Sequence, residues 1–109
     1  MKSNKKNFNV PDFARHYIKS RGKILRKLGH NYAKRLKKLN IVEGKILDSS
    51  CGSGHMIITL ATQLPSCEFI GIDISDPLLE YANHLKIIHN LNDRVQFIKG
   101  DVKKIVISR

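Results

Sequence analysis

Apolar side chains follow two different patterns, one in the first third of the chain and another in the remainder. From residue 24 to residue 39 they recur at steps of one, three and four, which confines them on an α-helix to an arc of roughly 120°. The positions that form this stripe are Ile24, Leu25, Leu28, Tyr32, Leu36 and Leu39. Pro11 and Asp12 are typical of a helix start, and Gly29 is expected to break or bend the helix. We therefore predict amphipathic helices over residues 11–40.

Beyond this segment, short apolar runs alternate with helical periods. Three runs predict buried strands, at residues 45–49, 68–73 and 94–99. Helices are predicted between them, at residues 55–64 and from Asp76, as N-cap, to about His89. This alternation specifies parallel strands joined by right-handed crossovers. The predicted class is therefore α/β, with helices covering a parallel sheet.

An acid lies at the end of each predicted strand or within two residues of it, and the first strand also runs into a loop of small residues, 49–54. The three acids are Asp48, Asp73 and Asp101. Ligands of open parallel sheets bind at the carboxyl ends of the strands, so these acids and the loop are expected to line one site. Cys51, within the loop, is read as a small filler rather than a nucleophile.

A glycine-rich turn with an acid nineteen residues after Gly54 also fits a dinucleotide site. Two residues argue against that alternative, an oxidoreductase fragment. Ile57 stands where the third glycine of the pattern is needed for close helix packing, and Asp48 would repel a pyrophosphate at the helix N-terminus. A cationic ligand would instead gain from Asp48.

Four ordered segments carry a resemblance to a known family. They are residues 46–54, 70–75, 77–82 and 95–101. In this order and spacing they resemble the class I S-adenosylmethionine-dependent methyltransferases, over about residues 32–102. The resemblance implies a Rossmann-like three-layer sandwich that is incomplete here, with the first three strands of the methyltransferase sheet preceded by a helical segment. It implies S-adenosylmethionine as cofactor and, when the domain is completed, methyl transfer to an acceptor that the motifs do not identify.

The resemblance also implies which residues bind the cofactor: Asp48, Ser50, Cys51, Gly52, Gly54, Asp73, Ile74, Asp101 and Val102. Asp48 would fix the methionine ammonium and Asp73 the ribose hydroxyls, while Asp101 and the Val102 amide would bind the adenine edge. Ser50 departs from the family, which commonly has glycine there. No metal is required, because the reactive methyl group belongs to the sulfonium itself. Catalytic residues are not identified by these motifs.

Positive charge is concentrated at the N-terminus. The net charge is +11, and residues 1–40 hold 13 of the 20 Lys and Arg with one acid, whereas the remaining residues hold 7 bases and 8 acids. We therefore divide the chain into a flexible basic tail (1–10), basic amphipathic helices (11–40) and a cofactor-binding half-domain (41–109). An alternative function is a non-catalytic module that binds RNA or DNA. Its candidate contacts are Lys23, Arg26, Lys27, Lys34, Lys37 and Lys38.

Cysteine usage and hydropathy limit the remaining classes. With two cysteines, Cys51 and Cys67, and no run of signal-peptide or membrane-span length, the sequence predicts a cytoplasmic protein without membrane contact. The first strand is apolar and would be a sheet edge, which folded proteins avoid. We therefore expect either a truncated domain or a second chain, such as a dimer partner, that completes the sheet.

Overall fold

The computed structural model describes residues 11–101, in which helices and strands alternate. In chain order the elements are α1 (Asp12–Lys38), β1 (Glu43–Asp48), α2 (His55–Gln63), β2 (Ser66–Asp73), α3 (Asp76–Ile88) and β3 (Val95–Lys99). The predicted tail, residues 1–10, and residues 102–109 lie outside this description. Between residues 11 and 101, no helix is both long and apolar enough to cross a membrane.

The three strands form one parallel sheet in the order β1-β2-β3. Their register sets Ile46 beside Phe69, and Phe69 beside Val95. The helices α2 and α3 pack on the face that carries these three side chains, and the most deeply buried of the larger residues include Phe69, Ile57 and Leu64. The α/β, Rossmann-like class is confirmed, and it is incomplete as predicted, because the described residues supply the sheet and helices on one of its faces.

The helix α1 is a single continuous helix of 27 residues, so it does not break at Gly29. Gly29 instead lies against α2, where a Cβ atom would come within 2.8 Å of the Thr59 Cβ. Gly22 has the same role nearer the start of α1, beside the imidazole of His55. These glycines therefore permit a close helix–helix approach rather than ending a helix.

The face of α1 that is buried is not the predicted apolar stripe. Ala14, Gly22, Gly29 and Ala33 are the buried residues of α1. Within the stripe Leu25 and Leu36 are partly buried, whereas Ile24, Leu28, Tyr32 and Leu39 are exposed, Leu39 by 63%. Small residues form the contact with α2 because they let the backbones of the two helices approach closely. The larger side chains of α1 therefore lie beside the packed face.

The start of α3 differs from the prediction by one residue. Ser75 is the N-cap, and its Oγ accepts a hydrogen bond of 3.3 Å from the Leu78 amide. Asp76 is then the first helical residue, where its charge favours the helix N-terminus. The cap matters for the site because Ser75 also binds the acid at the end of β2.

Candidate functional site

The carboxyl ends of the three strands meet around the small-residue loop, as predicted from the order of the elements. The Cys51 amide donates to the Ile72 carbonyl at 3.0 Å, which fastens the loop to β2. The Gly100 amide donates to the Asp73 carbonyl, also at 3.0 Å, which brings the end of β3 alongside. Asp48 pairs with Gly71 in the sheet register, so the ends of β1 and β2 are neighbours.

Asp73 holds the loop in place through its side chain. Its Oδ2 accepts a hydrogen bond of 2.9 Å from the Gly52 amide, and its Oδ1 accepts one of 3.0 Å from the Ser75 amide. A carboxylate oxygen can accept two hydrogen bonds, so each atom keeps capacity for a further donor. The half-buried Asp73 can therefore order the loop and still bind hydroxyl groups.

Asp48 makes a smaller, more local contact. Its Oδ1 accepts a hydrogen bond of 3.1 Å from the amide of Ser50, two residues later. The Asp48 side chain is half-buried, whereas Ser50 is exposed. Asp48 therefore places a second carboxylate at the carboxyl ends of the strands, on the strand next to that of Asp73.

The two loop glycines are required by packing within the protein. Gly52 and Gly54 have positive φ angles of 54° and 83°. A Cβ atom on Gly52 would collide with the Tyr17 hydroxyl, and one on Gly54 would lie 2.8 Å from the Ala82 Cβ. These close contacts explain why glycine occupies both positions, in addition to the expected close approach of a ligand.

Cys51 is a buried loop residue. Burial, with further contributions from the charges of Asp73 and Asp48, raises the pKa of its thiol to about 12. The thiolate, which is the nucleophilic form, is therefore scarce near neutral pH. This environment suits the filler role that the sequence predicts.

Tyr17 and His55 contact the loop, His55 through the loop residue Ser53, although the sequence did not single them out as loop contacts. Tyr17 reaches Gly52 from α1. Ser53 Oγ lies 2.7 Å from His55 Nδ1, and both side chains are buried. Burial, and secondarily the charge of Arg26, lowers the pKa of His55 to about 4, so its imidazole is neutral at pH 7. The spacing of Gly22, Gly29 and Ala33 on α1 was the signal that could have revealed this packing.

The remaining predicted contacts are less enclosed. Ile74 is 65% exposed, and Asp101 is exposed just beyond the end of β3. Val102 lies outside the described residues. The roles of these three residues stay predictions.

The six candidate nucleic-acid contacts all lie on α1 and are all exposed. Of these, Arg26 lies close enough to His55 for its charge to contribute to the lowered pKa of that imidazole. The nucleic-acid alternative stays a prediction. Among residues 11–101 no cluster of three or more His, Cys, Asp or Glu side chains is arranged to hold a metal ion.

The chain matches a known protein family. Residues 42–108 match a family described as "Methyltransferase domain". Among curated proteins, the chain is 36% identical over 56 residues to the release factor glutamine methyltransferase of Chlorobaculum tepidum, a stretch that covers 51% of this chain and 19% of that protein. It is 34% identical over 65 residues to the sterol 24-C-methyltransferase of Candida albicans, covering 59% of this chain and 17% of the relative.

A solved structure matches over more of the chain. A candidate S-adenosyl-L-methionine-dependent methyltransferase from Methanococcus maripaludis superposes with a TM-score of 0.72 at 29% identity, covering 98% of this chain and 48% of that one. The match extends beyond the region of the family model, so it includes α1. The chain spans about a fifth of the length of the two curated relatives and about half of the archaeal chain.

Proposed function

The chain belongs to the methyltransferase domain family, and from this premise we propose that it binds S-adenosylmethionine at the carboxyl ends of β1, β2 and β3. One observation carries the proposal. Asp48 and Asp73 stand at neighbouring strand ends, and the loop between β1 and α2 is tied to Asp73 by the Gly52 amide. The result is an ordered, acidic site for a ligand that carries an ammonium, a sulfonium and a ribose diol but no phosphate.

Each acid has a distinct role in this proposal. Asp48 attracts the methionine ammonium, and Asp73 accepts hydrogen bonds from the ribose hydroxyls with the lone pairs that the Gly52 and Ser75 amides leave free. Asp101 binds the adenine edge together with the amide of Val102, and Ile74 covers the adenine. The neutral His55 supports the loop through Ser53.

We propose methyl transfer to an acceptor as the activity of the complete protein. When bound, S-adenosylmethionine supplies the electrophilic methyl group, so the protein's own work is to align the acceptor and exclude water. Ser50, Gly52 and Gly54 would lie beneath the methionine and ribose. The class of acceptor stays open.

A cytoplasmic location agrees with two free, buried cysteines among the described residues.

The outer edge of β1 pairs with no second strand among residues 11–101 and is here called the free edge. We propose that it is covered in the complete protein by the portion of the relatives' domain that this chain does not span. A cavity of about 360 Å³ opens between α1, α2 and this edge. Tyr32, Leu47 and Met56 are among its lining residues, so a further strand or helix could bury apolar surface there. A second chain is the other way to complete the sheet.

Isothermal titration calorimetry with S-adenosylhomocysteine tests cofactor binding. Asp73→Asn should weaken affinity about 10- to 100-fold, because one charged acceptor of the ribose hydroxyls is lost. The matched control is Asp93→Asn, which changes an exposed acid in the turn before β3, at the other end of the sheet, and should leave affinity within about twofold. Equal losses in both variants would contradict the assignment.

A ligand lacking the diol separates ribose binding from loop ordering. The 2′,3′-dideoxyribose analogue of S-adenosylhomocysteine should bind the wild type less tightly, and Asp73→Asn should remove most of that difference. If the variant keeps the full preference for the diol, then Asp73 only orders the loop. Dispersed amide resonances in NMR spectra of both variants would show that each is folded.

A further inference from the structure

A groove of about 170 Å³ lies along the outer side of α2, between α1 and α3. Its walls are formed by residues about one helical turn apart, such as Arg26 and His30 on α1, and Leu85 on α3 with His89 at the C-cap of that helix. The lining contains one arginine and three histidines and no aspartate or glutamate. Its electrostatic character is therefore opposite to that of the acidic strand ends.

Arg26 is the fixed positive charge of the groove. Within residues 11–101, no carboxylate forms a salt bridge with its guanidinium. Its charge acts on the buried His55: burial, and secondarily the charge of Arg26, lowers the pKa of this imidazole to about 4. An uncompensated guanidinium beside apolar groups favours an anion, since its interaction is screened less there than in bulk water.

His55 forms one end of the groove and is held in a fixed orientation. Its Nδ1 lies 2.7 Å from Ser53 Oγ, and its ring centroid is 5.6 Å from that of Tyr81. The Nε2 atom points toward α1, 3.2 Å from the position that a Cβ on Gly22 would occupy. When Ser53 donates to Nδ1, the ring proton is on Nε2, which is then a donor on the side of Arg26.

We propose that this groove binds a phosphate group or a similar oxyanion, with the Arg26 guanidinium as the main contact and His30 and His89 at the rim. The planar guanidinium can donate two parallel hydrogen bonds to such a group. A cation would find no carboxylate among the lining residues, and a wholly apolar ligand would leave Arg26 desolvated without a partner. The site is separate from the strand ends and does not depend on cofactor binding.

The test is an NMR titration of the 109-residue chain with inorganic phosphate, with chloride at matched ionic strength as the salt control. Saturable shifts are expected for Thr59, Thr62 and His89, which line the groove. Arg26→Gln should weaken phosphate binding about tenfold or more, because a charge-assisted contact is lost. Lys27→Gln removes the same charge from the next residue, exposed and outside the groove lining, and should change affinity about twofold at most.

His89→Gln provides a second variant from another helix, and it should also weaken phosphate binding. A short single-stranded oligonucleotide distinguishes the source of the phosphate. Displacement of inorganic phosphate by the oligonucleotide would identify a nucleic-acid backbone, and absence of displacement would identify a free or small-molecule phosphate; either result upholds the site. No saturable shift in the groove, or equal weakening by Arg26→Gln and Lys27→Gln, would overturn it.

Discussion

The strand ends and the free edge of β1 are built in contrasting ways, although they lie on the same small sheet. At the strand ends residues 51–54 of the loop are buried, and Asp73 accepts hydrogen bonds from the amides of Gly52 and Ser75. In β1 and just before it, large apolar side chains remain exposed, among them Ile41, Val42 and Leu47, the last by 51%. The strand-end region satisfies its own polar groups, whereas within residues 11–101 the edge leaves apolar side chains exposed.

This contrast separates two properties, order at the proposed cofactor site and burial of the sheet edge. Order at the proposed cofactor site comes from contacts among β1, β2, α2 and α3, all of which are present. Burial of the sheet edge requires elements beyond these. We therefore expect cofactor binding to be retained by this chain, while the acceptor side of the reaction depends on polypeptide that is not in it.

The largest effect is expected from the packing of the loop. Gly54→Ala should lower the free energy of unfolding by about 3–4 kcal/mol, because the new Cβ meets Ala82 and Phe97 at a positive φ angle. Gly44→Ala is the matched control, since φ is also positive but nothing lies within 4 Å of the new atom. Its loss should be about 2 kcal/mol smaller. Equal losses in urea unfolding would show that the loop is not tightly packed.

An effect of intermediate size should follow from the neutral, buried His55. Its pKa is lowered from 6.5 to about 4 in the folded chain, chiefly by burial. Between these values the unfolded state binds the extra proton, so stability present above pH 6.5 is lost as the pH falls toward 4, by on the order of 1–3 kcal/mol.

His55→Asn should flatten this region of the pH dependence when urea unfolding is measured at pH 7.5 and at pH 5. His16→Gln, at an exposed position on α1, should leave the slope unchanged. A wild-type slope that survives in His55→Asn would refute the role given to His55.

A smaller effect on stability, with a distinct effect on association, is expected at the edge. Leu47→Lys should change the free energy of unfolding by no more than about 0.5 kcal/mol, because the side chain is half exposed. The same change should reduce binding of a hydrophobic dye and any self-association in sedimentation velocity, since a charged edge discourages strand pairing. Unchanged dye binding would mean that the dye binds to an apolar surface other than this edge.

The smallest effect is expected at the surface. Lys99 and Asp76 form a salt bridge of 3.0 Å with both side chains largely exposed. Lys99→Gln should therefore alter the free energy of unfolding by less than about 0.5 kcal/mol, which urea unfolding at low and high salt can check. A loss above about 1 kcal/mol, by contrast, would mean that this pair orders the end of β3.

Strand positions and their parallel order could be predicted from the sequence because local patterns specify them. Apolar runs ending in Asp48 and Asp73 define strands, and the glycines between them define the turn. The convergence of these acids follows from topology alone. The family and the incomplete sheet were predicted in the same way, from ordered motifs.

The packing of α1 was not predictable from its apolar stripe. The helical period identifies which side chains share a face, but not which face the rest of the protein covers. Gly22 and Gly29 decide it, because only residues without a Cβ allow α1 to reach His55 and Thr59. The contact of Tyr17 with Gly52 joins residues 35 positions apart and depends on that same helix placement. Such contacts are fixed by tertiary structure rather than by local sequence.

The most direct test of the central claim, that this chain holds a working cofactor site, is an NMR titration of the isotopically labelled chain with S-adenosylhomocysteine. We expect saturable shifts at Gly52, Gly54 and Ser75, around the carboxylate of Asp73, and little change along the free edge of β1. No saturable shift in a folded chain would contradict the claim. So would shifts confined to the exposed basic residues of α1.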